Sequence, residues 1–243
     1  MKQVRRNHEN AIELVRRHSE MLGIPDELQI MTVLNVCLAE EALAPNMSKN
    51  EMTDNDRALK WVACFRNGYN NRPSERVANP MGTIPDPLIG ELIQQQMECD
   101  ENKKNEIISS HRLAMSVENI IGLLLEEFLW EKLRPHGWVM AWGGTISFVD
   151  FCRSGDDSPL LQVKNSDNSE NSSSKKVRRD IPRIKLWARK NSRNRTFNWE
   201  RLVDIVGHDV RGLCEDEFRR FAHCTLENNS RMLVETDTRE VEQ

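Results

Sequence analysis

The residues of this chain best suited to chemistry lie between positions 143 and 178. Gly143-Gly144-Thr-Ile-Ser-Phe-Val-Asp150 ends on a carboxylate, Leu160-Leu-Gln162-Val-Lys164 carries an amide and an ammonium, and a run of Asn, Ser, Lys and Arg to Arg178 follows at once. Hydrolysing a phosphodiester at neutral pH calls for a hard cation that polarises the phosphate and generates hydroxide, and for a positive group that orients water or steadies developing charge. Oxygen-bearing side chains on neighbouring strands can converge on such a cation at one sheet edge. In Gln162-Val163-Lys164 the polar residues are two apart, so strand alternation sends both to one face while Val163 packs on the other. Asp150 follows Phe148-Val149 at a strand end, where solvent can reach it.

Those strands need an α/β framework, and the apolar spacing supplies one. Trp138–Trp142, Thr145–Phe151 and Leu160–Lys164 read as short strands, with a turn by composition at Gly155–Pro159. Before them, Ser109–Leu133 is the longest periodic helix, with Leu113, Val117, Ile120, Ile121, Leu124, Leu125, Phe128 and Leu129 on a wide apolar face and Arg134-Pro135-His136-Gly137 ending it. Residues 8 to about 45 hold two helices broken at Gly23-Ile24-Pro25, Asp54–Arg66 is a third, and Leu88–Met97 is another. Gly68–Pro87, with four prolines, reads as linker or surface loop. Ile184–Lys190 fits a strand or a short helix, Trp199–Val206 and Glu215–Phe221 look helical, and Glu235–Gln243 is a charged tail. The expectation is an α/β core with a mixed β-sheet flanked by helices (106–243), preceded by a helical N-terminal region (1–105).

Asp150 with the Gln162-x-Lys164 tripeptide resembles the PD-(D/E)xK nuclease superfamily. The upstream run Gly122-Leu-Leu-Leu-Glu126-Glu127-Phe-Leu-Trp-Glu-Lys-Leu-Arg-Pro-His-Gly137-Trp138 is similar to the first core helix of that fold, whose Glu commonly reaches the metal. The resemblance implies a restriction-endonuclease-like core that binds Mg²⁺ through Asp150, Gln162 and Glu126, with Lys164 completing the site. Glu118, eight residues before Glu126, could look toward the same region, and Glu127 is a further helix glutamate. One departure is plain: neutral Gln162, whose carbonyl oxygen can still ligate a hard cation, stands where the superfamily has a second acid, and a helix glutamate can supply the missing carboxylate. Glu118-Asn119-x-x-Gly122-x-x-Leu-Glu126-Glu127, paired with Gln-Val-Lys-Asn-x-Asp-Asn-x-Glu-Asn-Ser-Ser-Ser, resembles SinI-type type II restriction endonucleases. That narrower resemblance implies double-strand cleavage at a short, nearly palindromic, GC-rich site of the GGWCC kind, by a homodimer whose two-fold axis matches the site.

The segment after Lys164 suits DNA. Asn165, Asn168, Asn171, Ser172, Ser173 and Ser174 can donate and accept at base edges, and Lys175, Lys176, Arg178 and Arg179 can meet phosphates or guanine. Arg183, Lys185, Arg189 and Lys190 continue the stretch. The chain carries a formal net charge of −4, yet residues 164–195 hold eleven Lys or Arg against three acids, and residues 196–243 hold six against eleven. A polyanion responds to that local field rather than to the average.

Each signal also has a plainer account: Glu126 and Glu127 as the solvated edge of an amphipathic helix, Lys164 as a snorkelling surface lysine, and the Asn/Ser run as a flexible loop. The six tryptophans suit a core, with Trp187 and Trp199 close enough to the basic stretch to stack on bases. His111, His136, His208 and His223 lack ligand spacing, and no Gly-x-x-x-x-Gly-Lys loop is present, which disfavours zinc chemistry and nucleotide hydrolysis. Six scattered cysteines without a Cys-x-x-Cys pair read as buried free thiols of a reducing compartment. With no secretory h-region and no long apolar span, a bacterial-type cytoplasmic protein without a membrane partner is expected. Two rivals remain at this point: a shape-selective junction or repair nuclease of the same fold, and a non-catalytic DNA-binding regulator.

Overall fold

The computed structural model describes residues 8–47, 52–78, 86–155, 157–167 and 172–233. Its sheet has four strands in the order β1 (Trp138–Met140), β2 (Phe151–Arg153), β3 (Leu160–Ser166), β4 (Ile184–Lys190). The first three run antiparallel, whereas β3 and β4 pair in parallel with Gln162 beside Leu186 and Lys164 beside Ala188. A parallel pair needs a crossover, which contains helix α6 (Ser172–Asp180). The result is the expected mixed α/β architecture.

Three helices, α1 (His8–Leu22), α2 (Glu27–Ala39) and α3 (Asp54–Asn70), form the N-terminal part. Asp26 caps α2 by accepting from the Gln29 N–H, and Thr53 caps α3 by accepting from the Asp56 N–H. Next come α4 (Pro87–Met97), α5 (Glu101–Leu133), α7 (Trp199–Val206) and α8 (Glu215–Asn228). In α5 only the C-terminal half is buried, through Ile120, Leu124, Leu125, Phe128, Leu129 and Leu133. One continuous hydrophobic cluster joins α1–α3, that half of α5, the sheet and α7–α8. No helix among the described residues is long and apolar enough to cross a membrane.

Several elements differ from expectation. Helix α5 begins at Glu101 rather than Ser109, because Asp100 accepts from the Lys103 N–H and supplies the N-cap. Thr145–Val149 is not a strand: Gly143, Gly144 and Phe148 have positive φ (68°, 68° and 64°), which no extended segment sustains. The segment is instead pinned to the N-terminal helices. Trp61 Nε1 donates to the Thr145 carbonyl at 3.0 Å, and the Ser147 N–H donates to the Leu43 carbonyl at 2.8 Å. A Cβ on Gly143 would lie 1.9 Å from the Cys64 carbonyl oxygen and one on Gly68 would lie 2.2 Å from Gly143 N, so α3 meets this turn backbone to backbone. The Asn/Ser run is not wholly loop, since α6 starts at Ser172. Nor are all the thiols buried: Cys37 and Cys152 are, Cys64 and Cys99 are half-buried, and Cys214 and Cys224 are exposed. The charged tail after Val234 lies outside the described residues.

Candidate active site

Neighbouring glutamates on α5 take different directions because one residue of helix is a rotation of about 100°. Glu127 is buried and tied to the turn after α3. The Ser74 N–H donates to its Oε2 at 3.0 Å, the Ser74 hydroxyl donates to Oε1 at 2.5 Å, and Arg72 Nε lies 3.3 Å from Oε1. Burial pushes the Glu127 carboxyl upward while those bonds oppose the push. Its partners make it a structural clamp. Glu126 instead lines a cavity of about 300 Å³ together with Asp150, Leu123, the end of α3 at Gly68, Arg72 and Pro73, and the 140–149 segment.

Asp150 is held by three backbone contacts. Its N–H donates to the Leu161 carbonyl at 2.9 Å, its carbonyl accepts from the Ala141 N–H at 2.8 Å, and its Oδ2 accepts from the Val163 N–H at 2.6 Å. Since β2 begins only at Phe151, the carboxylate takes the place of a ladder carbonyl and is thereby fixed against β3. Burial raises Asp150 to about 6, opposed by the Val163 hydrogen bond and then by the Lys164 charge. Glu126 is driven further, to about 8, by burial first and by repulsion from Asp150 second, again against the pull of Lys164. Two carboxylates thus face one cleft, and the Lys164 charge acts on both of them.

Gln162, 4 % exposed, lies on the same strand and face as Lys164, and its Oε1 accepts from Arg178 Nη1 at 2.9 Å. Glu118 is exposed, about 12 Å back along the α5 axis, and does not line the cavity. Among the described residues no three His, Cys, Asp or Glu side chains cluster as a ready metal cage. The donor set on hand is therefore two carboxylates with an amide oxygen nearby. Its chemistry fits a hard cation, because burial disfavours charge on both carboxyls and Asp150 further repels charge on Glu126, penalties that a positive ion between them would relieve.

The expected DNA-contacting residues divide. Lys175, Lys176 and Arg179 are exposed on the outer face of α6, whereas Arg178 turns inward. Ser172, Ser173 and Ser174 open the helix, and Asn168 and Asn171 lie outside the described residues. Asn165 Oδ1 accepts from Arg189 Nε at 3.0 Å, and Arg189 in turn pairs with Glu215 at 3.0 Å. Arg189 and Arg183, the latter paired with Glu40 at 3.2 Å, are therefore internal ties. Trp187 and Trp199 are buried, their ring centroids 5.1 Å apart, so neither offers a face for a base.

One basic element was not singled out from the sequence. The turn at 191–196 carries exposed Arg193 and Arg195, with the Asn191 side chain accepting from the Arg193 and Asn194 N–H groups. It sits at the Lys164 end of the sheet, since the Asp167 N–H donates to the Lys190 carbonyl and the Ser192 N–H donates to Asp167 Oδ1 at 2.8 Å. The dense Asn-Ser-Arg-Asn-Arg composition was the available signal.

Residues 28–228, which take in every element of this cleft, match the family model of the SinI restriction endonuclease. The chain belongs to the SinI restriction endonuclease family. It is 33% identical over 223 residues to the type II restriction enzyme SinI of Salmonella infantis, covering 90% of this chain and 95% of that protein. It is also 39% identical over 149 residues to the type II restriction enzyme Eco47I of Escherichia coli, covering 60% of this chain and 64% of that one. Membership makes the chain a type II restriction endonuclease, a site-specific deoxyribonuclease.

Proposed function

We propose that this SinI-family enzyme is a Mg²⁺-dependent homodimer that cuts both strands of double-stranded DNA at a short, GC-rich, pseudo-palindromic site of the GGWCC kind. The observation that carries the catalytic part is the convergence of Glu126 and Asp150 in one cleft, both carboxyls raised by burial and both within the field of the Lys164 charge. Glu126 and Asp150 would hold the cation, with the Gln162 carbonyl beside them as a third oxygen. When bound, Mg²⁺ supplies Lewis-acid polarisation of the scissile phosphate and a water of lowered pKa.

The protein's own groups do the rest. Asp150, locked by Val163, has no freedom to follow the substrate, so the phosphate must come to it. Lys164, whose charge counters the two acids, would orient the attacking water through its Nζ. Lys175, Lys176 and Arg179 on α6, with Arg193 and Arg195 on the 191–196 turn, would position phosphates on either side of β3. The homodimer follows from symmetry, because a palindrome presents each strand identically to one of two copies.

Purified protein incubated with unmodified phage DNA and Mg²⁺ should yield discrete fragments whose sequenced ends share one short motif. Asp150→Ala and Lys164→Ala should each abolish cutting while leaving DNA binding largely intact. Retained cutting by either variant would overturn the assignment of the cleft.

A further inference from the structure

Arg178 is the one cation of α6 that the fold turns inward. Val177 in this helix and Ile181 just past its end pack on the core, while Lys175, Lys176 and Arg179 are exposed. Arg178 lies beside the packed pair, and its guanidinium reaches across to the buried Gln162 amide at 2.9 Å. Gln162 in turn is two residues from Lys164 on the same strand face. A charge-assisted hydrogen bond therefore runs from the basic helix to the strand that carries the site.

We propose that Arg178 and Gln162 form a positioning pair that sets the basic helix α6 in register with the catalytic strand β3. This rests on the reading above that α6 meets DNA phosphates. The pair explains why a neutral amide serves where an acid stands elsewhere in the superfamily. An amide oxygen has two lone pairs, so it can accept from Arg178 without placing a third negative charge beside Glu126 and Asp150. Without the bond, α6 loses its tie to the Gln162 amide of β3, and its exposed cations lose their fixed distance from the cleft.

The test uses DNA binding in the absence of any divalent cation, so that a metal-ligand role of Gln162 does not enter. Affinity for an oligonucleotide carrying the mapped site is measured across a salt series for the wild type, Arg178→Ala, Gln162→Ala, Gln162→Glu and the double alanine variant. Circular dichroism checks that each is folded. Gln162→Ala and Arg178→Ala should each weaken binding on the order of tenfold, and the double variant should be no worse than either. Gln162→Glu, which keeps the acceptor, should retain the wild-type salt slope, with any loss of affinity confined to its added negative charge. The decisive readout is the salt slope. Gln162→Ala removes no charge, yet should flatten the slope by up to about 2.7, the release expected from three lost phosphate contacts. An unchanged slope in that variant, or additive losses in the double variant, would overturn the pair. A wild type that neither cuts nor binds the site would instead overturn the underlying function, so the two failures are distinguishable.

Discussion

Glu126→Gln should make the metal-free enzyme more stable, and increasingly so as pH rises. An ordinary glutamate ionises near 4.5, whereas Glu126 does so at about 8, because burial and Asp150 penalise its charged form. In the folded state the group holds its proton to higher pH than in the unfolded chain. Between about 4.5 and about 8 the native state therefore binds more protons, and stability falls as pH rises through that window before levelling off. Each pH unit well inside it is worth about 1.4 kcal/mol, less near its upper end, so from pH 6 to pH 8 the wild type should lose about 2 kcal/mol that the glutamine variant keeps. The ceiling for the whole window is about 5 kcal/mol. The assay is urea denaturation of both proteins in a chelator across pH 5–9, reading the difference between them, because titrations common to both cancel. A difference that stays constant across that range would refute the claim that Glu126 is buried beside another acid. Cleavage should be lost in the same variant, which makes the stored repulsion a cost borne for function.

The remaining expectations are briefer. Binding of Ca²⁺ between pH 6 and 8 should expel close to one proton, so the apparent affinity rises about tenfold per pH unit; calorimetry in two buffers of different ionisation enthalpy counts that proton, and a count of zero would remove Glu126 from the cation site. Gly143→Ala should cost at least about 3 kcal/mol, since its Cβ would overlap the Cys64 carbonyl at 1.9 Å in a positive-φ backbone. Gly144→Ala, with the same φ of +68° but nothing within 4 Å, should cost only about 1 kcal/mol; equal losses in chemical denaturation would contradict the close approach of α3. Glu127→Gln should lower stability by about 1–2 kcal/mol through its Ser74 and Arg72 partners, with cleavage retained at temperatures where the variant stays folded.

Much of this was legible in the chain. Local rules place the helices, because an apolar stripe and a capping Asp or Thr act within one or two turns. Strand alternation alone is enough to put Gln162 and Lys164 on one face. The pairing of Asp150 with Glu126 was legible only as a resemblance, because no local rule says that a helix residue and a strand-end residue will share a cleft. What the sequence concealed has a common physical origin in long-range contacts. Thr145–Val149 has the composition of a strand, and it is not one because α3 presses backbone to backbone on Gly143 and draws the Thr145 carbonyl to Trp61.

The same kind of contact governs the charges. Composition makes Arg178, Arg183 and Arg189 look equivalent to Lys175 and Lys176, yet three distant acceptors, Gln162, Glu40 and Glu215, turn the arginines inward. A guanidinium suits that duty, since its planar fork can meet a fixed oxygen and stay charged while half-buried, whereas a lysine gives up more hydration for a single point contact. Within residues 175–190 of this fold, then, arginine that follows an apolar residue tends to serve the interior. Val177-Arg178 and Ala188-Arg189 both fit that pattern, and Arg179, which follows Arg178, is exposed. Arg178→Lys would keep the charge and lose the fork. It should therefore leave the salt slope of DNA binding nearer to that of the alanine variant than to the wild type, and a wild-type slope would show that charge alone, not geometry, holds α6 to the strand.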